Sequence, residues 1–578
     1  MSGMFTRGRR KVAAVIAIAL VASLSQVGAT QAATPSKVRE GGDITVGIFN
    51  QVLTTCYSPN VSNSGLGVLK TVFEGLVEQK SDGTMVPFLA ESYSASADYK
   101  TWTVKLRPNI KFHSGEALDA KAAALNMNTQ TGFTYLSNPA AYLHTAGSAI
   151  PFTANLKAVR VLDTLTFAMD LYTPQVDWME TVYASGRFYM RAPSDIANAT
   201  QCATKGQGTG PFKFEKYSAT EIKVVKNPNY WRRDKDGNPL PYLNSITFKT
   251  VNEASQRVNG LKSGSLDAAQ FTGAGEVKQI LAVKGNKNLG YIESPDDFYP
   301  VVWLNQAIAP FNNANARLAV AHAWDAEAYY KARSCVKGNC LGSAPTSMVS
   351  PRNVMHNKAG YIKTNIAKAK EYAAAYKAET GKDLTFTIPA DTSAESQANA
   401  KATQQIFKKA GITTTLLIED TATQVAKAFP STAEIAKGNL NPYPFYGVLL
   451  FEGRGTTFTL PFLQTNVFLE PGNGKLALTR ALLALGAGLN VGRTADAELS
   501  KLVWDAKQDV TAGRTAKLKA ITKYVQEKAY VLALPTQVYG FGFSSKLKGF
   551  DKFTLASGGQ GRAMTNAGIN WTGVYLEK

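Results

Sequence analysis

Residues Gly208–Trp231 read GTGPFKFEKYSATEIKVVKNPNYW, a loop, a hairpin and a turn in one unit. The Gly208-Thr209-Gly210-Pro211 turn places glycine where the backbone takes positive φ or lets another segment approach closely, and Pro211 fixes the exit angle. Phe212, Phe214 and Tyr217 make a first strand and Ile222, Val224 and Val225 a second. Both are rich in β-branched and aromatic residues and are separated by the polar Ser218–Glu221. Asn227-Pro228-Asn229 stops the second strand, and Tyr230-Trp231 sets two amphipathic rings on the turn that follows. The unit points to a binding protein before it points to an enzyme; an ordinary aromatic hairpin in a globular core is the bland alternative.

The chain around it has 578 residues, 45% hydrophobic and 18% charged, enough for two or more domains with full cores. Arg7, Arg9, Arg10 and Lys11 precede an apolar run from Val12 to Leu24, and small residues follow through Ala29, Thr30, Ala32 and Ala33. That is the pattern of a secretory signal peptide over residues 1–33, cut close to Ala32 or Ala33. No run reaches the roughly 18 apolar residues a membrane helix needs, so a soluble, exported mature chain is expected. The net charge is +20, and removing a leader with four basic and no acidic residues takes it to +16. Lys and Arg are scattered, without a basic run interleaved with aromatics. This favours a solvated surface facing an anionic envelope over nucleic-acid binding.

The central unit resembles the GTGPY…NPxYW signature of the extracellular solute-binding proteins of the dipeptide, oligopeptide and nickel class (family 5), which feed ABC importers. The segment from Phe88 to Asp119, containing LAESYSASADYKTWTVKLRPNIKFHSGEALD, follows a second pattern of that family, departing from it at Asn109, Ser114 and Lys121. Leu69–Val77 (LKTVFEGLV) resembles the family's vyEgLv helix, and Ala254–Asp267 (ASQRVNGLKSGSLD) its LksGevD helix and turn. Pro300–Asn305, Pro310-Phe311 and Arg317–Asp325 (RLAVAHAWD) match the passage into its second lobe, with Trp324 where an aliphatic residue is usual; Lys548-Gly549-Phe550 matches the return. The resemblance runs from about Gly41 to the C-terminus. It implies an α/β, two-lobed periplasmic-binding-protein fold (type II, cluster C) with an extra subdomain in the first lobe. The implied division is lobe I at 34–299, its subdomain at about 78–207, lobe II at 300–533, and a return to lobe I at 534–578.

The residues support this order on their own terms. Ile44, Val46 and Ile48 share one face of a strand over Gly42–Phe49, and Trp102, Val104 and Leu106 alternate with polar residues in another. Leu69, Val72, Phe73 and Leu76 fall on one face of a predicted helix. On it Glu74 is either a charge paired with a neighbour or a carboxylate near the cleft. His113, with no Ser/Asp partner pattern, is read as a structural hydrogen-bonder in its turn. Helices are expected at Ala120–Asn128 and Ile366–Lys377, and a strand at Ser245–Val251. Leu384, Phe386 and Ile388 form a strand stopped by Pro389, Ala394–Ala410 a helix ended by Gly411, and Ile412–Ile418 the next strand, a βαβ unit. Leu499, Leu502, Val503, Ala506 and Val510 mark one late helix stopped by Gly513. Leu518, Ile521 and Val525 mark another, and Val531–Phe543 reads as strand.

Four cysteines in an exported chain suit two disulfides. Cys335 and Cys340 enclose a turn sequence and are the natural pair; the family's topology implies that Cys56 and Cys202, far apart in sequence, bridge within one lobe. No Cys lies near the cleavage region, so a lipid-anchored form is not expected. The four His, at 113, 144, 322 and 356, have no ligand spacing, and no nucleophile elbow, H-E-x-x-H or phosphate loop occurs. The reading is therefore of a non-enzymatic, monomeric, periplasmic or cell-envelope protein without cofactor. It captures a peptide-like or other small solute between its lobes, which hinge near Val301 and Leu534, and delivers it to an ABC permease. A metal or metal-chelate carrier on the same fold is the alternative, and a periplasmic chaperone or sensor adaptor a third class. The expected cleft residues are Tyr57, Glu74, Trp303, Asn305, Tyr446, Phe451, Glu452 and Arg454. Peptide-binding members hold the ligand's ammonium with an Asp in a gW..DypdP stretch. Here Tyr446–Phe458 has neither Asp nor Trp and sets Arg454 near the acid's place, which favours anionic or capped solutes over free-amine peptides. Glu452 either neutralises Arg454, replaces the Asp, or pairs with it on the surface.

Overall fold

The computed structural model describes residues 41–52, 55, 63–80, 82–130, 155–183, 188–218, 220–271, 275–294, 299–428, 441–451, 460, 490–536, 538–550, 553–565 and 568–577. Ten strands in two sheets organise them. β1 (Asp43–Ile48), β2 (Phe212–Tyr217), β3 (Glu221–Lys226), β4 (Ser245–Thr250), β5 (Ala268–Phe271) and β6 (Leu289–Glu293) come first. After β7 (Tyr299–Leu304), β8 (Phe445–Phe451) and β9 (Val531–Ala533), β10 (Gly540–Ser544) joins the first group in one seven-stranded sheet of order β6-β10-β5-β1-β4-β3-β2. β1 runs parallel to β4 in a register from Asp43↔Ser245 to Ile48↔Thr250, and the Phe212–Lys226 hairpin closes one edge with a bulge between Phe214 and Lys216. The alternation that marked β1 in sequence is realised: Ile44, Val46 and Ile48 are buried with Phe212, Phe214, Ile222 and Val224 in one core.

β7 is the middle strand of a second, three-stranded sheet, with β8 and β9 antiparallel on its two sides. The chain thus leaves the large sheet after Glu293 and regains it between Ala533 and Gly540. Val531–Phe543 is accordingly not one strand. Leu534, Pro535 and Thr536 interrupt it, and its two ends serve different sheets. An antiparallel sheet of Ala90–Ala95, Thr101–Leu106, Thr166–Leu171 and Leu156–Val161 packs with the helix Ala120–Gln130 around Trp102, Phe167 and Trp178. Thr385–Ala390, the helix Ala394–Lys408 and Thr413–Ile418 form the parallel βαβ unit, and the helix Ile366–Thr380 precedes it. Pro389 continues its strand rather than stopping it, because a two-stranded sheet leaves one edge unpaired.

Two helix expectations are corrected. The helix lies at Asn63–Leu69, ahead of Leu69–Val77, which turns and then enters the strand Val77–Gln79. Val72, Phe73 and Leu76 are buried as a helical face would bury them, but the carbonyls of Thr71 and Val72 accept from Phe212 N (3.0 Å) and Gly210 N (2.9 Å) instead of from the next helical turn. The late helix ends at Gln508, since the Asp509 carboxylate captures Thr511 N (2.7 Å) and turns the chain. Val510 is left exposed, and Gly513 caps the start of the next helix, Arg514–Glu527. No helix among the described residues is long and apolar enough to cross a membrane.

Candidate functional site

The central stretch closes on itself around one carboxylate. Glu74, 6% exposed, accepts from Thr209 Oγ1 (2.8 Å), Tyr230 Oη (2.6 Å) and Trp231 Nε1 (2.9 Å). Burial pushes its carboxyl above the usual range, opposed by those three donors and by the nearby Arg232 charge. The glycines of the turn serve close approach rather than positive φ: a Cβ on Gly210 would meet the Val72 backbone at 2.6 Å, and one on Gly208 would strike the Val72 carbonyl. His113 locks the same turn, with its backbone N donating to Gly208 O (2.8 Å) and Nε2 to Gly210 O (2.9 Å). Because that acceptor is a carbonyl, Nε2 carries the proton, and burial brings the imidazole down to about 4. Asn227 Nδ2 completes the knot on Gly210 O (3.1 Å). Behind it a cavity is lined by Lys70, Phe73, Glu78, Tyr183, Tyr189 and Arg562, where Tyr183 Oη donates to Glu78 (3.0 Å).

A second cluster forms where β7 ends. Asn305 Nδ2 donates to Asn441 O (3.0 Å) and Tyr443 O (3.2 Å), Gln306 N to Gly492 O (2.7 Å), and Asn441 Nδ2 to Val491 O (3.0 Å). Trp303 is 1% exposed and so closely covered that a Cβ on Gly492 would come within 2.8 Å of its ring. Tyr446 is buried, which pushes its phenol up to about 12, and it stacks on Tyr443 at 5.1 Å. Tyr443 Oη in turn donates to Glu419 (2.6 Å). Arg493 sits in the left-handed region at φ 49°, held in a turn by its own N on Asn490 O (3.0 Å) and by Asn490 Nδ2 on Thr494 O (2.9 Å).

Of the residues expected to face a solute, Trp303, Asn305 and Tyr446 are therefore brought together, as parts of a core whose polar groups bond internally. Glu74 is buried elsewhere, its carboxylate held by Thr209, Tyr230 and Trp231, and it also lines the cavity behind the turn. Tyr57, Glu452, Arg454 and Cys56 lie outside the described residues, and Phe451 is described by its backbone alone, opposite Tyr299. Cys335 and Cys340 are disulfide-bonded across their hairpin, and Cys202 is bonded as well. Sequence reasoning passed over Asn441, Tyr443 and the Asn490–Thr494 turn, whose signal was a pair of prolines flanking a tyrosine and an Asn-Val-Gly-Arg run.

It also passed over a contact between distant segments. Arg514 Nη2 donates to Asp177 Oδ2 at 2.6 Å across 337 residues, with the two side chains only 15% and 14% exposed. Gln175 Nε2 holds the other carboxylate oxygen (3.0 Å) and Thr181 Oγ1 (2.9 Å). Glu180 and Lys507 flank the pair: burial raises the Glu180 carboxyl to about 8, with Asp177 adding to and Arg514 opposing the shift, and burial lowers the Lys507 ammonium to about 8.

Residues 84–454 match the model of the bacterial extracellular solute-binding proteins, family 5. The chain belongs to this family. Family 5 relatives include the glutathione-binding protein GsiB of Pectobacterium atrosepticum, 28% identical over 312 residues, which are 53% of this chain and 57% of that protein. The nickel-binding periplasmic protein of Escherichia coli K12 is 28% identical over 300 residues, 50% of this chain and 52% of its own. The chain thus aligns with little more than half the length of these curated relatives. The periplasmic-binding-protein fold extends further. The binding protein AgaA from A. tumefacien R10, solved with agropinic acid, superposes with a TM-score of 0.73 at 21% identity, covering 93% of this chain and 99% of that one. Family 5 is a family of binding proteins rather than of enzymes.

Proposed function

We propose that the protein is the solute-capturing component of an ABC importer, working as an exported monomer without a catalytic step. The observation that carries this reading is membership of a solute-binding family across residues 84–454. The sheets support it: one lobe would be built on β1–β6 with β10 and the other on β7–β9, and the chain passes between them twice. Two bodies joined at two crossings close around a solute when the solute makes extra contacts in the closed state, and a membrane permease reads that shape. In this reading the buried cluster of Trp303, Asn305 and Tyr446 stiffens the strands β7 and β8, and Tyr57, Phe451, Glu452 and Arg454 remain the candidates for contact with the solute.

In this reading the preferred solute is anionic or capped, because Arg454 falls in the sequence near the position of the acid that holds an ammonium in peptide-binding members, unless Glu452 neutralises it or takes the acid's place. The glutathione-binding relative fits this, since glutathione carries more carboxylates than ammonium groups. The nickel-binding relative favours a second reading, a metal complex. Among the described residues no group of three or more His, Cys, Asp or Glu is placed to hold an ion, so a metal would enter within a chelate. A thermal-shift screen tests both, comparing N-acetylated peptides, dicarboxylates and sugar phosphates with free-amine di- to pentapeptides and nickel–histidine, with glutathione, which carries both a free ammonium and a net negative charge, run alongside. Stabilisation by the anionic set that is lost in Arg454→Ala is expected. Stabilisation by free-amine peptides, unchanged in that variant, overturns the anionic preference, and a response to nickel–histidine alone selects the second reading.

A further inference from the structure

The Asp177–Arg514 contact joins a segment packed with the first lobe's antiparallel sheet to the first residue of a helix in the second. Asp177 precedes the helix Trp178–Tyr183, whose Trp178, Met179 and Val182 are buried in the core of that sheet. Arg514 opens the helix Arg514–Glu527, whose Leu518, Ile521 and Val525 are buried with Trp303 and Tyr446. Each side chain is thus mounted on an element that is anchored in a separate hydrophobic core. The mounting is stiff on both sides. Gln175 fixes the other carboxylate oxygen and ties it to Thr181, while Arg514 N donates to Thr511 O (3.2 Å) in a loop that Asp509 holds through Thr511 N. A guanidinium and a carboxylate with about one-seventh of their surface exposed are strongly coupled where they meet, yet each returns to water at little cost if the bodies separate.

We infer that Asp177 and Arg514 form a clasp that holds the lobes together and so act as positioning residues for solute capture. The inference rests on the solute-binding reading for its function, and on geometry alone for its existence. By favouring the closed arrangement before any ligand arrives, the clasp lowers the free energy the ligand must supply for closure. It makes no demand on the identity of the solute. Glu180 and Lys507 flank the same junction, one from each side, each within the field of Asp177 and Arg514, and burial favours the neutral form of both.

The test uses the full mature chain in four forms: wild type, Asp177→Ala, Arg514→Gln, and the exchanged pair Asp177→Arg with Arg514→Asp. Small-angle scattering without ligand is expected to give a larger radius of gyration for the single variants than for wild type, with the exchanged pair returning towards the wild-type value. Affinity for a solute identified by thermal shift is expected to fall about three- to tenfold in the single variants and to recover in the exchange. Near-ultraviolet circular dichroism confirms that each variant is folded. Single variants with wild-type radii and affinities overturn the clasp and leave the solute-binding reading intact. Enlarged ligand-free radii in a chain that binds no small solute would keep the clasp and overturn that reading.

Discussion

Glu74 and Asp177 are both carboxylates withdrawn from solvent, and they differ in where their partners are mounted. Thr209, Tyr230 and Trp231 surround Glu74 from the turns at the two ends of one hairpin. Arg514 meets Asp177 from a helix whose core is separate. The first arrangement is made by the turns that flank one hairpin, so its hydrogen bonds form as that unit folds. In the proposed clasp the second exchanges its partner for water when the bodies part, and so reports on conformation instead. Burial alone does not separate the two roles; the rigidity of the connection between partners does.

The sharpest way to break this contrast is Glu74→Ala. Three interior donors would lose their acceptor, and unfolding by urea should show a loss of about 3–5 kcal/mol. Glu74→Gln, which keeps one acceptor oxygen, should fall between this variant and wild type. A loss under about 1 kcal/mol in the alanine variant would mean that the knot relaxes and that Glu74 is no more structural than Asp177.

A smaller effect is expected from His113, which pins the same turn. Above about pH 6.5 its imidazole is neutral whether the chain is folded or not. As the pH falls from 6.5 to about 4, the unfolded chain takes up a proton that the buried ring refuses, and stability declines by about 3 kcal/mol before levelling off. The difference between wild type and His113→Asn across that window isolates this group, and parallel curves would remove it from the account. The smallest global effect belongs to the other side of the comparison. Asp177→Ala should change unfolding free energy by less than about 1 kcal/mol, because Arg514 regains water when the lobes separate. A loss comparable to that of Glu74→Ala would show that the two bodies do not part.

Legibility in the sequence followed the same divide. Alternation identified β1, the Phe212–Lys226 hairpin and the parallel strands of the βαβ unit, because each exposes one face to a core and the other to something else. The Leu69–Val77 stretch misled because its apolar spacing is helical while its carbonyls are claimed by Gly210 and Phe212, well over a hundred residues on. Val531–Phe543 misled because a continuous apolar run carries no mark of the point where a chain changes sheets. Asn305 stood out in the sequence, but its role depends on the carbonyls of Asn441 and Tyr443, which periodicity cannot place.

What the sequence by itself determined is local: which segments become strands and helices, where glycine permits close approach, and that His113 sits in a turn without catalytic partners. These follow from side-chain periodicity and backbone sterics within a few residues. The tertiary structure alone decided which polar groups meet. Glu74 bonds to residues 135, 156 and 157 positions away, and Asp177 to one 337 positions away. The free energy of such contacts arises from desolvating both partners together, and no property of either sequence neighbourhood carries that information.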